Sequence, residues 1–232
     1  MYSDSPDYVK SVQDNARYIS DALCMPPSHV NYLKRLKDEY NFEPVVCYDI
    51  GAAVLHWCKE VEKIWPSTEV ILFDAFEGVR CLYNNHRHYI GVLSDVDNRE
   101  VKFYQNDIFI GGNSYYRELE NSNGNFFPKD QYLMKSTRSL DSLVKEYNYP
   151  LPDLVKIDVQ GAELDVINGG KETISNAKYL IVELQDVPYN EGAPLASQSL
   201  SYIESLGWTC IGPKFSDNGP DADYCFINNR FK

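Results

Sequence analysis

Four acids each close an apolar run in this sequence: Asp49 near the end of Val45-Val-Cys-Tyr-Asp-Ile50, Asp74 after Glu69-Val-Ile-Leu-Phe73, Asp158 after Leu154-Val-Lys-Ile157, and Glu183 after Tyr179-Leu-Ile-Val182. In an open α/β sheet the carboxyl ends of the strands are where ligands bind, so each of these acids is delivered to a place where chemistry is done. A carboxylate within hydrogen-bond reach can remove the proton of a weakly acidic hydroxyl, and Asp158 is the first candidate for such a base. Glu183 then either positions the acceptor hydroxyl or shares a divalent ion with Asp158. Mg²⁺ would suit two carboxylates, although no third ligand is evident. Lys156 either holds Asp158 ionised or forms an ion pair at the sheet edge. Asp74 is placed to accept hydrogen bonds from both ribose hydroxyls of a nucleoside cofactor, the alternative being a solvated loop acid. Asp49 either meets a ligand's ammonium group or caps the helix that follows.

The turns between these runs narrow the ligand. Gly51 and Ala52 follow the first run, and a glycine there lets the backbone turn tightly and approach a ligand. The two further glycines of a G-x-G-x-x-G fingerprint are missing, which argues against a pyrophosphate seated on bare helix amides. A cofactor without that group, such as S-adenosylmethionine, fits better. Ala75 continues the turn after Asp74, and Leu93-Ser94-Asp95 ends a third run where an adenine would lie. Ser94 or Asp95 could reach its amino group, unless Asp95 simply opens the turn Asp-Val-Asp-Asn98. Gly111-Gly-Asn-Ser-Tyr-Tyr116 with Phe126-Phe127 could cover an acceptor. Aromatic faces and amides suit a sugar; the alternative is a surface loop with its own aromatic cluster. Asn113, Tyr115 and Tyr116, with Gln160 and Glu163 beside Asp158, are therefore the candidate acceptor contacts. Glu163 has a competing role, because an acid in a first helical turn stabilises the helix by about 0.3–1 kcal/mol. His56, one turn into the first helix of the alternating region, either faces the cofactor or packs the helix. His86 and His88 are placed away from the chemistry.

The elements that must carry these residues follow from periodicity. Pro6 to Leu23 and Ser28 to Tyr40 read as helices about Met25-Pro-Pro27, with Ser28 as N-cap. They carry no site and form an N-terminal helical extension, 1–43, packed as a lid or brace. From residue 44 onward short apolar runs alternate with helical patterns: helix Ala53 to Trp65, strand His88 to Leu93, an added hairpin strand Arg99 to Tyr104, and a long loop 105–135. Helix Leu140 to Tyr147, a helix through Glu172 to Asn176 and helix Ser197 to Leu206 follow. A closing hairpin joins Trp208–Ile211 to Asp223–Ile227. The alternation predicts one α/β domain over 44–232, with a mostly parallel sheet, helices on both faces and an antiparallel edge strand. A net charge of −12 argues against a nucleic-acid partner. The six cysteines lack C-x-x-C spacing and read as small core residues in a reducing compartment, with no zinc site expected. No apolar run approaches the roughly 20 residues that span a bilayer. The polar start Met1-Tyr-Ser-Asp-Ser-Pro6 is unlike a secretory signal, so the chain reads as cytoplasmic.

Val155-Lys-Ile-Asp-Val-Gln-Gly-Ala-Glu163, continued by Leu164-Asp-Val-Ile-Asn-Gly169, closely resembles the hallmark of FkbM-type methyltransferases. Asp49-Ile-Gly-Ala52 is similar to that family's first motif and Ser139-Leu-Asp-Ser-Leu143 to its Leu-Asp element. The resemblance covers roughly residues 45–185 and implies a Rossmann-like class I fold with a seven-stranded sheet. It also implies S-adenosylmethionine as cofactor and O-methylation of a hydroxyl on a glycan or glycosylated metabolite, a deoxyhexose among the options. Two positions depart from the pattern. Leu55 stands where the family usually has a second glycine, and Gln160 where it commonly has glutamate, which leaves Asp158 as the base. The competing functions are a nicotinamide-dependent oxidoreductase, disfavoured by the missing fingerprint, and a binding module that kept the fold without the chemistry.

Overall fold

The computed structural model describes residues 5–120, 124–215 and 219–232. The start Met1–Asp4, three residues of the long loop and the tip of the closing hairpin lie outside the described residues. Among the described residues ten strands are formed: β1 (Val46–Ile50), β2 (Glu69–Asp74), β3 (His88–Ile90), β4 (Val92–Leu93), β5 (Glu100–Phe103), β6 (Leu133–Arg138), β7 (Leu154–Ile157), β8 (Tyr179–Gln185), β9 (Trp208–Cys210) and β10 (Asp221–Asn228). Seven of them make one sheet in the order β3-β2-β1-β7-β8-β10-β9. All its neighbours pair in parallel except β10, which runs antiparallel to both β8 and β9. The antiparallel strand thus belongs to the closing hairpin, one place in from the edge. The order reverses between β1 and β7, and that switch point opens the crevice in which α/β sheets hold ligands.

Alternation along the strands divides the core. Cys47, Leu72, Leu154, Ile181 and Cys225 face α1 (Pro6–Ala22), α2 (Pro27–Asp38) and α3 (His56–Ile64). Tyr48, Phe73, Val155, Val182 and Phe226 face α4 (Leu140–Tyr147), α5 (Glu163–Gly169), α6 (Lys171–Ile174) and α7 (Ala196–Ser205). By the same period of two, Asp49, Lys156, Asp158, Glu183 and Asp223 point to the α1–α3 side. The N-terminal helices are bonded to that side: Ser20 Oγ donates to Val54 O at 2.7 Å, and Lys59 Nζ donates to Ser20 O at 2.6 Å. Among the described residues no helix is long and apolar enough to cross a membrane, and all six cysteines are free.

Several boundaries differ from expectation for identifiable reasons. Pro27, not Ser28, opens α2, because its fixed φ is already helical at the first position. The helix expected from Ala53 begins only at His56. Ala53 and Leu55 have φ of 42° and 69°, and the Ala53 N–H donates to Asp74 Oδ2 at 2.8 Å instead of to a helical carbonyl. Leu55, one of the two departures in the motifs, thus adopts the left-handed backbone that glycine takes freely. Burial of its side chain in the α1–α3 core offsets that strain. The run His88–Leu93 is two strands, not one. The chain leaves the main sheet at Gly91, whose N–H donates to Asp74 O, and β4 pairs with β6 in a small sheet of order β4-β6-β5. Strand β6, partly inside the expected long loop, is half exposed and carries Lys135, Ser136 and Thr137, so its sequence reads as polar.

Candidate active site

Three strand ends and one covering loop enclose a cavity at the switch point. Ile50 ends β1, and Gly51 and Ala53 follow it; Phe73 and Asp74 end β2, and Ala75 follows it; Asp158, Val159 and Gln160 follow β7. The loop after β5 supplies Ile110, Gly111, Asn113, Ser114 and Tyr115, while Phe103, Leu93 and, from the end of α1, Leu23 complete the wall. Gly51 is required here. Its φ is +82°, and a Cβ on it would lie 1.7 Å from the Asp158 carbonyl oxygen, so the crossing of β1 and β7 closes only over a bare α-carbon. The covering loop is anchored by Ser114, whose Oγ donates to Val159 O at 3.1 Å.

Asp74 fixes the opposite wall. Its Oδ2 accepts the Ala53 N–H and its Oδ1 the Phe76 N–H at 2.7 Å, which locks the carboxylate against both turns. Burial raises its pKa, against the pull of those two N–H groups. Two cavity residues carry buried polar atoms with no hydrogen-bond partner among the described residues, Asn113 Nδ2 and His56 Nδ1. Buried polar groups are nearly always paired, so these two are candidates for contact with a bound polar group. Apolar walls from Ile50, Phe73, Leu93 and Phe103, an acid held by backbone and an unpaired amide suit a nucleoside-type cofactor such as S-adenosylmethionine.

Beside the cavity lies a charge cluster around one cation. Lys156 is 2% exposed, donates to Asp158 Oδ2 at 2.8 Å and stands in register with Asp49. Burial opposes its charge, but Asp158, Asp49, Asp223 and Glu183 together raise its pKa. Asp158 is partly buried, which would raise its pKa, yet Lys156 and its hydrogen bonds hold its carboxyl well below the usual carboxylate range. Glu183 is shifted the other way, by burial first and then by the Asp158 anion. Lys156 thus favours the anion of Asp158, while burial beside that anion favours the neutral form of Glu183, and the two acids titrate as a coupled pair. Gln160 spans them: its Nε2 donates to Asp158 Oδ1 at 2.9 Å and to Glu183 Oε2 at 2.7 Å. It does so from a left-handed backbone, φ 56°. The Tyr189 hydroxyl stands 3.1 Å from Gln160 Oε1 and 2.7 Å from Asp221 Oδ2.

The sequence-derived candidates sort as follows. Gly51, Asp74, Ala75, Asn113, Tyr115, Asp158 and Gln160 line the cavity, and Lys156 and Glu183 adjoin it through Asp158 and Gln160. Asp49 does not reach it. The side chain is wholly buried under the strand ends with both oxygens unpartnered, and burial, opposed by Lys156, pushes its pKa up to about 7. Ala52 is buried behind Gly51. Ser94 and Asp95 are outside the lining, where Arg99 donates to Ser94 Oγ at 2.6 Å and pairs with Asp95 at 2.8 Å, and Ser94 Oγ reaches the cavity wall only through the Tyr115 hydroxyl, 3.0 Å away. Tyr116 is outside the lining, its hydroxyl 3.1 Å from Asp165, and the Tyr115 hydroxyl donates to the same carboxylate at 2.7 Å. Glu163 is spent on the backbone, where its Oε1 accepts the N–H groups of Val159 and Gly161, both at 3.0 Å.

Sequence reasoning missed Asp221, Asp223, Tyr189 and His29. Asp221 and Asp223 alternate on β10, and Asp223 pairs across with Glu183, so the period of two was the available signal. His29, on α2, lies 3.1 Å from Asp223, which brings the N-terminal segment to the edge of the cluster. His56 is in the cavity wall because α3 starts at that residue; burial and Lys156 lower its pKa to about 4, keeping the ring neutral. The pair Asp158 and Glu183 is not laid out for Mg²⁺. An amide N–H₂ fills the space between the carboxylates, an ammonium neutralises Asp158, and a hard cation would need several further oxygens.

Comparisons with known proteins bear on this arrangement. The family model described as the methyltransferase FkbM domain matches residues 49–209. A 2-O-methyltransferase, NoeI, of Sinorhizobium fredii is 26% identical over 238 residues, covering 95% of this chain and 94% of that protein. Among solved structures, a putative O-methyltransferase from Klebsiella pneumoniae aligns with a TM-score of 0.49 at 11% identity, over 98% of this chain and 92% of that one. Magnesium protoporphyrin IX methyltransferase from Synechocystis PCC 6803 aligns at 0.44 and 10% identity, over 98% and 86%.

Proposed function

The chain belongs to the FkbM family of S-adenosylmethionine-dependent methyltransferases, and we propose that it methylates a hydroxyl group of a sugar, in a glycan or a glycosylated metabolite. The observation that carries this reading is the Asp158–Gln160–Glu183 arrangement, in which a carboxylate held by Lys156 and Gln160 lines the same cavity as Asp74. The 2-O-methyltransferase relative supports transfer to oxygen.

S-Adenosylmethionine supplies an electrophilic methyl group on a sulfonium. Asp74 would take the ribose hydroxyls with the lone pairs its two backbone bonds leave unused. The Asn113 amide offers a donor to the nucleoside, and Gly51 allows the ligand to approach the backbone. The remaining work is alignment of acceptor oxygen and methyl carbon, and removal of one proton. Asp158 is the base: it is ionised, 21% exposed, and held in place by Lys156 and Gln160. A carboxylate of lowered pKa is a weak base for a free alcohol. The hydroxyl becomes strongly acidic as the new C–O bond forms, so a late proton transfer to Asp158 is sufficient. Glu183 accepts from Gln160 and so helps to hold Asp158 in place, and Tyr189 braces Gln160.

Two measurements test the proposal. Titration calorimetry should show binding of S-adenosylmethionine or its demethylated product. Incubation with isotope-labelled cofactor and a panel of glycosides, read by mass spectrometry, should show a methyl gain on a sugar. Asp158→Ala should abolish the gain while cofactor affinity stays within a few-fold. Cofactor binding accompanied by methylation of nitrogen or carbon acceptors alone would overturn the acceptor assignment, and unchanged turnover in the variant would remove Asp158 as base.

A further inference from the structure

On the side of α3 away from the cavity, three side chains of different chemistry converge. Cys58 and Glu62 are one helical turn apart and share a face of α3. His86 comes from the turn before β3. Its Nε2 is 2.9 Å from Glu62 Oε1 and 3.6 Å from Cys58 Sγ. One ligand atom from each lies within 4.8 Å of the others. The histidine is held in place by its own backbone, since its N–H donates to Tyr83 O at 2.9 Å and its carbonyl lies 3.0 Å from His88 Nδ1. Cys58 is buried, the His86 side chain is 16% exposed and that of Glu62 47% exposed, so the trio opens to solvent on the carboxylate side.

We propose that Cys58, Glu62 and His86 form a Zn²⁺ site with one position left for water. The geometry agrees with tetrahedral zinc. Bonds of about 2.3 Å to sulfur and about 2.0 Å to nitrogen and oxygen put the S–N edge near 3.5 Å and the N–O edge near 3.3 Å. The observed 3.6 Å already matches the first, and the Glu62 contact needs to open by a few tenths of an ångström, which an exposed side chain can do. Charge also balances: binding breaks the Cys58 S–H bond, releases that proton to solvent, and leaves one thiolate and one carboxylate against the dication. Mixed sulfur, nitrogen and oxygen donors favour Zn²⁺ or Co²⁺ over Mg²⁺. The ion would tie α3, whose first residue His56 lines the cofactor cavity, to the segment between β2 and β3. A site of this kind would give His86 and Cys58 a ligand role that sequence reasoning did not assign.

The test uses the full chain, reduced and stripped with a chelator, and titrated with Co²⁺ and then Zn²⁺. One equivalent of Co²⁺ should produce a thiolate-to-cobalt charge-transfer band in the near ultraviolet with tetrahedral bands in the visible, both displaced by Zn²⁺. Zn²⁺ should also raise the melting temperature. Cys58→Ser should remove the charge-transfer band, and His86→Gln, at a more exposed position, should weaken Zn²⁺ binding roughly tenfold or more. Cys24→Ser, at an exposed cysteine elsewhere, should change neither. Absence of the band, or its survival in Cys58→Ser, overturns the proposal. These readouts are independent of methyl transfer, so they stand or fall apart from the proposed activity.

Discussion

Lys156→Met probes the charge cluster most directly, because it removes the one cation and keeps the length of the side chain. The ammonium is 2% exposed, bonded to Asp158 at 2.8 Å, and feels Asp49, Asp223 and Glu183 as well. Removing one partner of a buried pair costs about 3–5 kcal/mol, because the other charge is left uncompensated. The structure also bounds the cost, since Asp158 can take up a proton instead. Forcing a carboxyl of ordinary pKa near ~3.9 to stay neutral costs about 1.4 kcal/mol per pH unit, or about 5 kcal/mol at about pH 7.5 and about 2 kcal/mol at about pH 5.5. The sign follows from linkage. In the wild type the folded pKa of Asp158 lies below its unfolded value, so its stabilisation is present above the unfolded value and lost as pH falls through the folded one. In the variant the folded pKa rises above the unfolded value, so stability is lost as pH rises. The gap between wild type and variant should therefore widen from about 2 kcal/mol at the lower pH to about 4–5 at the higher. Urea unfolding followed by tryptophan fluorescence measures it. A gap under about 1 kcal/mol at the higher pH, or one that does not change with pH, would show that the acids do not depend on Lys156.

Asp49→Asn should stabilise the protein in alkali. Its carboxyl is pushed up to about 7, so its unfavourable contribution grows as pH rises from about 4 to 7 and the substitution recovers up to about 4 kcal/mol above that window; a variant less stable than wild type at about pH 8 contradicts this. Gly51→Ala should lose far more stability than Gly192→Ala. Both have positive φ, worth about 1–2 kcal/mol to an L-residue, but only at Gly51 does a Cβ strike backbone, at 1.7 Å; equal losses in thermal unfolding would mean the crossing is loose. Glu163→Ala should cost about 1–3 kcal/mol by stranding the Val159 and Gly161 N–H groups. Glu163→Gln keeps the acceptor oxygen and should be at least as stable as wild type at about pH 8, since burial pushes the native carboxyl up to about 7; a similar loss in both variants refutes the assignment.

The strands were legible because each is a buried run with a charge at or near its end, although β8 runs two residues past Glu183 to Gln185. β1, β2, β7 and β8 could be read from periodicity alone, and with them the edge that carries Asp74, Asp158 and Glu183. What depends on pairing between distant segments was not legible. His88–Leu93 is one apolar run in sequence, yet Gly91 turns the chain from β2 toward β6, a partner over forty residues away. Strand β6 is hidden because its half-exposed side chains look like loop. His56 was misplaced by one turn because Ala53 and Leu55 take left-handed backbones that nothing in their side chains announces. Asp49 read as a ligand contact because sequence gives position along a strand but not depth beneath the turn that follows it.

Gln160 shows how a departure from a motif can carry more information than a match. As a residue type it reads as the loss of a carboxylate. In the structure its two amide protons are each used, one on Asp158 and one on Glu183. A third carboxylate at that point would have to be protonated to offer even one donor, and would face an ionised Asp158 without an ammonium of its own. Lys156 favours one acid as an anion, burial next to that anion raises the pKa of the other, and Gln160 bridges the pair without adding a titrating group between them. A base beside the acceptor is what methyl transfer to a hydroxyl needs, and here the placement of one lysine keeps that base an anion.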